Sequence, residues 1–301
     1  MKTQAKPRII FFGTPAFGRI ILQILLDAKF KISAVVTQPD RPAGRKQKRN
    51  PSHVKALAKE HRITAFSPAS KSELSALDAK LSTLKPDLFV VASYGLIIPK
   101  EILDIPLRGS LNVHPSLLPK YRGPSPIQAA ILNGDKETGA TIMLLDEEMD
   151  HGPLLAQEKI ALAADETTPT LTGKLAILGG NLLVKTILEY WNGRITPQPQ
   201  DHAQATVTKL IRRENGKISW GMSNEQIEQM FRAYTPWPGV WTTVGEMADQ
   251  LDQELRSPKH KDLKLKLLEA HLENGVISLD RVQVEGRKPI HFTDFVKGYL
   301  K

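Results

Sequence analysis

The sequence predicts an α/β chain in two parts. The first is a Rossmann-like, mostly parallel sheet with helices on both faces, and the second is a small β-barrel of the OB type. Three observations carry this reading. Apolar runs without alternation, RIIFFGT, KISAVVTQ and DLFVVAS among them, recur through the first half, and strands of that kind belong to sheets covered on both faces. Stretches with helical apolar spacing separate these runs, which gives the strand–helix alternation of a parallel sheet. Beyond about residue 209 the pattern changes to short strands with glycine turns, LKLKLLEAHL, GVISLD and VQVEG, as in a small barrel. The predicted division is 1–191, a linker over 192–208, and 209–301.

Taken in order, the first strand covers 8–14 and ends at Gly13. Pro15 suits a first helical turn, and Ile20, Ile21, Ile24, Leu25 and Ala28 share one face of the helix that follows. A second strand is predicted over 31–38, then a basic loop, a helix over 51–60, RITAF at 62–66, and a helix over 71–82. Strands over 87–93, 110–114 and 140–146 complete the sheet, and a helix over 170–191 closes the unit. NGRITPQPQDHAQATVT lacks periodicity and is rich in Pro, Gln and Thr, hence the linker. In the second part a helical patch near 223–232 precedes the strands, and Trp220, Trp237 and Trp241 are expected in the barrel core. Ligands of open α/β sheets bind beyond the carboxyl ends of the strands. Chemistry is therefore expected just after Ala92, Val113 and Leu145.

Hydrophobic residues at 41% and charged residues at 24% fit a globular chain. No run approaches 18 consecutive apolar residues, so no spanning helix is expected. The apolar run near the N-terminus stops at Gly13, too short for a secretory segment; the expected location is the cytoplasm. Cysteine is absent, which excludes disulfides, thiolate zinc sites and a cysteine nucleophile. GTPAFG lacks the Gly-Lys-Ser/Thr ending of a phosphate loop. The eight histidines show no metal-ligand spacing, so no metal is expected.

The net charge is 41 − 32 = +9, yet residues 210–301 hold 14 basic and 13 acidic residues. The excess therefore lies in the first part, much of it in DRPAGRKQKRN, where Arg41, Arg45, Lys46, Lys48 and Arg49 face Asp40 alone. Such a segment projects into solvent. On charge alone it is equally a solvated loop or a finger for a polyanion.

The candidate chemistry lies in two stretches. In SLNVHPSLLPKYRGPSP, Asn112 and His114 stand two apart on a strand, so both side chains leave one face. An amide and an imidazole aimed at one space can donate to an oxygen that becomes negative during acyl transfer. In ATIMLLDEEMDHGPLL, Asp150 lies in an acidic loop closed by Gly152 and Pro153. A carboxylate beside an imidazole fixes its orientation and charge, or holds a water that accepts a proton. Taken singly, an Asn-x-His is more often a structural pair and such an Asp a turn residue.

SLNVHPSLLPKYRGPSPIQ followed by EEMDHGP resembles the signature of the folate-dependent formyltransferases. The resemblance implies that Asn112, His114 and Asp150 are the catalytic groups and that the turn Ser116, Leu117, Leu118, Pro119 touches the folate. It implies a pterin near the backbone of Tyr94 and Gly95, with 10-formyltetrahydrofolate as the formyl donor. VVTQPDRPAGRKQK is similar to the tRNA-binding insertion of the family members that formylate initiator methionyl-tRNA for translation initiation. IIFFGTPAFG and KISWGMSNEQIEQMFRAYTPWPGVWT are similar to other parts of those members. The implied acceptor is thus methionyl-tRNA, held in part by Arg41, Arg45, Lys46, Lys48 and Arg49 and by a C-terminal tRNA-binding barrel; the alternative acceptor is a sugar nucleotide. A monomer that binds no membrane is expected.

Overall fold

The computed structural model describes residues 6–43 and 48–301. The chain forms two compact units, one from 1–126, 137–161 and 172–208, the other from 127–136, 162–171 and 209–301.

The first unit is built on a seven-stranded sheet. Its strands are β1 (Arg8–Gly13), β2 (Lys31–Val36), β5 (Ala65–Phe66), β6 (Leu88–Ala92), β7 (Ser110–His114), β8 (Glu137–Leu144) and β9 (Leu154–Ala161). They lie in the order β5-β2-β1-β6-β7-β8-β9. Pairing is parallel from β5 to β7 and antiparallel from β7 to β9. Every residue of β6 and β7 is buried, as the unbroken apolar run of β6 requires; β7 buries the polar Ser110, Asn112 and His114 as well. β9 escaped the sequence reading because AQEKI is polar. It is an edge strand with Gln157, Glu158 and Lys159 exposed to solvent.

Helices cover the sheet. α1 (Ala16–Asp27) buries Phe17, Ile21, Leu22 and Leu25. α2 (His53–Glu60) begins at Ser52, whose hydroxyl accepts from the Lys55 N–H and bonds the Thr37 hydroxyl just beyond β2 at 2.6 Å. The single helix predicted over 71–82 is two, α3 (Lys71–Ser75) and α4 (Asp78–Thr83). The Leu77 N–H turns back to Leu74 O at 3.0 Å, a tight turn that breaks the ladder while Leu74 and Leu81 stay in the core. A short helix α5 (Lys100–Leu103) follows, while α6 (Pro126–Leu132) belongs from Ile127 on to the second unit.

The long helix α7 (Thr168–Trp191) lies on the sheet. A Cβ at Gly179 would stand 2.7 Å from Val113 of β7, and one at Gly180 would stand 2.5 Å from Ile24 of α1. Absence of side chains there allows the close approach. By length and composition α7 could cross a membrane, but half of its apolar window is buried inside the structure, including Leu175, Leu183 and Ile187.

Residues 192–208, aperiodic in sequence, run as a strap along the first unit. Leu154 and Gln198 exchange backbone hydrogen bonds of 2.7 and 2.8 Å, and Arg122 bonds Thr206 O and the Thr208 N–H at 2.8 and 2.7 Å. The basic loop is flanked by a two-stranded ribbon, β3 (Arg41–Ala43) against β4 (Lys48–Asn50). Arg41 donates to Gln38 Oε1 at 2.7 Å; Asp40, the acid of the segment, is paired with Lys55. Arg41 and Arg49 are exposed. Arg45 and Lys46 lie outside the described residues.

The second unit holds α8 (Asn224–Tyr234) and a four-stranded antiparallel sheet of β10 (Val240–Thr243), β11 (Lys264–Glu273), β12 (Val276–Val284) and β13 (Ile290–His291), paired in that order. α9 (Val244–Gln250) and α10 (Phe292–Tyr299) complete it. Ser223 and Gln226 form a capping box at α8. The core is mostly aliphatic, with Val240, Leu265, Leu267, Val282 and Val284 buried, and includes Phe295, whose ring stacks on Phe292 and Tyr299. The tryptophans do not form it. Trp237 is 53% exposed, while Trp220 and Trp241 are half-buried, Trp241 with Lys264 Nζ 3.7 Å from its ring centre.

Glu246 of α9 ties this unit together. Lys217 donates to Oε1 at 2.7 Å and the Thr242 hydroxyl to Oε2 at 2.9 Å. The Lys217 bond, with help from Thr242 and the Thr243 N–H, holds the Glu246 carboxyl at about 2, against an ordinary 4.5. A depressed folded-state value contributes stability above the ordinary value that is lost as pH falls toward the depressed one. Urea midpoints of the parent and Glu246→Gln should therefore differ most above about pH 5 and converge as pH falls from 4.5 toward 2. A gap independent of pH over that range would contradict the assignment.

Candidate active site

Strand β7 ends beside a loop that follows β8, and three polar side chains meet there. Asn112 pairs in register with Val91 and Met143, and His114 with Thr141. Asn112, His114 and Asp150 are 8%, 4% and 9% exposed. Asp150 Oδ1 accepts from Asn112 Nδ2 at 3.3 Å and faces His114 Nδ1 at 3.5 Å. Its Oδ2 accepts from the Gly123 N–H at 2.7 Å. The three groups, 38 positions apart at the widest, form one cluster.

The histidine is constrained from both sides. Its Nε2 bonds Tyr121 O at 2.9 Å, and a carbonyl only accepts. Its Nδ1 faces a carboxylate. Both ring nitrogens therefore donate together only in the imidazolium form. The Asn112 amide carries two N–H groups. One is engaged by Asp150, which leaves the other for a ligand.

Local backbone sets this geometry. Asp150 adopts φ +51°, Tyr121 φ +62° and Gly123 φ +98°, the left-handed region that side chains seldom enter. At Gly152 an added Cβ would stand 2.0 Å from Leu144 O, so no larger residue fits where the loop turns back. Thr141 anchors the turn after His114. Its hydroxyl donates to Ser116 O at 2.6 Å and accepts from the Leu118 N–H at 3.2 Å.

The remaining candidates fall in several places. Ser116 and Leu118 are buried; the Ser116 hydroxyl donates to Lys120 O at 2.6 Å, and Leu118 O accepts from Gln157 at 2.6 Å. Leu117 and Pro119 are half-buried. Tyr94 puts its ring in the core, edge-on to Phe12 at 5.4 Å. Burial pushes its hydroxyl up to about 12, and that hydroxyl has no partner among the described residues. Tyr94 O accepts from the Thr14 hydroxyl at 2.8 Å. Beyond it the chain opens to solvent at Ser93, Gly95 and Ile97. Leu96 of this loop and Leu145 of the Asp150 loop pack on the same buried cluster around Tyr94 and Ile98. The two loops thus share an apolar floor next to exposed backbone, which suits a flat heteroaromatic amide such as a pterin. Of the cationic candidates, Arg41 and Arg49 are exposed, and nothing further places Arg45, Lys46 or the Lys48 side chain. Among the described residues no group of three His, Asp or Glu gathers as a metal ion requires.

Residues 7–187 match the formyl transferase model and residues 210–300 match the formyl transferase C-terminal domain. The chain belongs to the formyl transferase family. Among relatives of this formyl transferase, a methionyl-tRNA formyltransferase of Roseiflexus castenholzii is 43% identical over 97% of this chain and 96% of its own length. That of Pseudoalteromonas translucida is 41% identical over 97% and 94%. The fold is shared with a methionyl-tRNA formyltransferase from Clostridium thermocellum (TM-score 0.59, 20% identity, 92% and 98% covered). It is shared too with an N-formyltransferase from Helicobacter canadensis on complex with folinic acid and dTDP-3-aminofucose (TM-score 0.64, 19% identity, 95% and 99% covered).

The sequence reading missed Tyr121, Gly123, Thr141 and Gln200 as members of the site. Only Gly123 carried a signal, a glycine between Arg122 and Pro124. A Cβ at Gly152 would displace the loop that carries Asp150, so Gly152→Ala should lower kcat at least tenfold and destabilise the chain by about 1–3 kcal/mol. Steady-state rates and urea melts measure both; parent-like values would show that the loop can yield.

Proposed function

We propose that this formyl transferase moves the formyl group of 10-formyltetrahydrofolate to the amino group of initiator methionyl-tRNA, as a cytoplasmic monomer. Relatives at 41 and 43% identity over almost the whole chain carry that activity in their names. The observation that carries the chemistry is the shared cluster of Asn112, His114 and Asp150.

The donor supplies a one-carbon unit at the acyl level, on a nitrogen able to leave. The uncharged methionyl amine adds to the formyl carbon, a C–N bond forms, the carbon–folate nitrogen bond breaks, and one proton passes from the amine to the departing nitrogen. The second N–H of Asn112 donates to the formyl oxygen as it gains charge, and the His114 Nδ1–H turns to the same oxygen from its 3.5 Å approach to Asp150. Asp150 orients both donors. Through a water it also passes the amine proton onward. The pterin lies against the backbone after β6 and beside Leu145, and the turn Ser116, Leu117, Leu118, Pro119 contacts the folate. The segment of Arg41, Arg45, Lys46, Lys48 and Arg49 holds acceptor-stem phosphates, contacts that position rather than read sequence.

The alternative acceptor is a sugar nucleotide, as in the Helicobacter canadensis protein that shares this fold. The purified chain with formyl-tetrahydrofolate should formylate charged initiator methionine tRNA and leave an amino-sugar nucleotide unchanged; the reverse result would transfer the assignment. Asn112→Ala and Asp150→Ala should each lower kcat about 10²–10³-fold with little change in the KM for tRNA. Replacing Arg45 and Lys46 together by Ala should raise the KM for tRNA and flatten its salt dependence. An unchanged KM would remove that segment from recognition.

A further inference from the structure

Asp150 sits in the left-handed region, uncommon for residues with a side chain though commoner for aspartate than for most, and its loop needs anchors to keep the carboxylate aimed. Its φ of +51° lies outside the regions open to most side chains, on a loop whose preceding residues Glu147, Glu148 and Met149 are exposed. Backbone strain of this kind persists only where neighbours over-determine it. The Gly123 and Asn112 bonds hold the carboxylate; they do not hold the backbone behind it.

Gln200 does. Its side chain, 5% exposed, donates from Nε2 to Asp150 O at 2.9 Å and to Gly152 O at 2.7 Å. One amide group thus clips the two carbonyls on either side of His151. On its other end Gln200 Oε1 accepts from Arg122 at 3.2 and 2.7 Å, through Nε and an Nη nitrogen. The orientation of the amide is not ambiguous. Two carbonyls only accept and a guanidinium only donates, so the nitrogen must face the loop and the oxygen the arginine. A hydrogen bond from a cation to the amide oxygen polarises the group and strengthens its N–H as a donor. Arg122 is fixed in turn, because its backbone bonds Thr206 and Thr208 and its guanidinium reaches His202 Nδ1 at 2.8 Å. The strap thus carries a clip whose jaws close on the Asp150 loop.

We propose that Gln200 is a positioning residue for formyl transfer: by bridging Arg122 to the carbonyls of Asp150 and Gly152 it holds Asp150 in the left-handed conformation that aims its carboxylate at Asn112 and His114. The proposal rests on the reading of Asp150 as a working group, and deepens it. No other common side chain serves both jaws. Glutamate keeps the acceptor for Arg122 but presents a carboxylate to two carbonyls, and lysine keeps a donor but presents a cation to the guanidinium.

The test uses the full-length chain with Gln200→Glu, Gln200→Met, Asp150→Ala and the double variant Asp150→Ala/Gln200→Glu. Rates are expressed per folded molecule, judged by circular dichroism, and the ring nitrogens of His114 are followed by NMR. Gln200→Glu and Gln200→Met should lower kcat about 10- to 100-fold, as expected for an ångström-scale displacement of a working group. The KM values for methionyl-tRNA and formyl-tetrahydrofolate should stay within about twofold. On the Asp150→Ala background Gln200→Glu should have no further effect on kcat, because there is no carboxylate left to misplace. The His114 ring resonances should move in both Gln200 variants toward their positions in Asp150→Ala. Unmoved ring resonances with kcat within about twofold of the parent, or a Gln200→Glu defect that multiplies that of Asp150→Ala, would overturn the proposal. Full activity in Asp150→Ala would instead overturn the role given to Asp150 in the reaction, while the ring resonances would still decide whether Gln200 holds the loop.

Discussion

The organisation of the first unit turns on one buried carboxylate. A carboxylate removed from water is tolerated only when donors replace its hydration, and Asp150, 9% exposed, draws its donors from two segments distant in sequence. Asn112 and His114 come from the end of β7, and the Gly123 N–H comes from the loop after it. The Gly123 N–H and the Asp150 carboxylate meet because the loops that carry them leave regular structure. Tyr121, Gly123 and Asp150 all take positive φ, and Gly152 lies where a Cβ would strike Leu144 O. The sheet beneath is ordinary by comparison, its central strands buried on every residue and covered by α1 and α7. A regular scaffold thus fixes the strand ends, and irregular loops bring the charge to them.

The sequence discloses the regular part well. Unbroken apolar runs located β1, β2 and β6 to within two residues, and period two placed Asn112 and His114 of β7 on one face. It fails where burial is one-sided or absent. β9 is an edge strand of polar residues, and α3 and α4 read as one helix because the apolar spacing of Leu74 and Leu81 continues across a break made by the backbone. The tryptophans of the second unit misled for a related reason. A large aromatic is usually buried, yet Trp237 stands in solvent and the core is mostly aliphatic. At the site, the resemblance located the three polar residues, but their supports were silent. Thr141, Tyr121 and Gln200 act through backbone partners, and such contacts leave no pattern in a string of residue types.

The strap of residues 192–208 also bears on what a separately produced first unit would contain. A chain stopped at Trp191, where the last long helix ends, would keep every strand of the seven-stranded sheet and all three polar groups. It would lack the residues that bond Leu154, Arg122 and the Asp150 loop, and Tyr121 would lose the Thr206 hydroxyl that accepts its N–H. The smallest piece expected to keep a formed site therefore ends at about Thr208. Composition alone marks those seventeen positions as dispensable spacer, whereas excision would strip the Asp150 loop and the Arg122 segment of these hydrogen bonds.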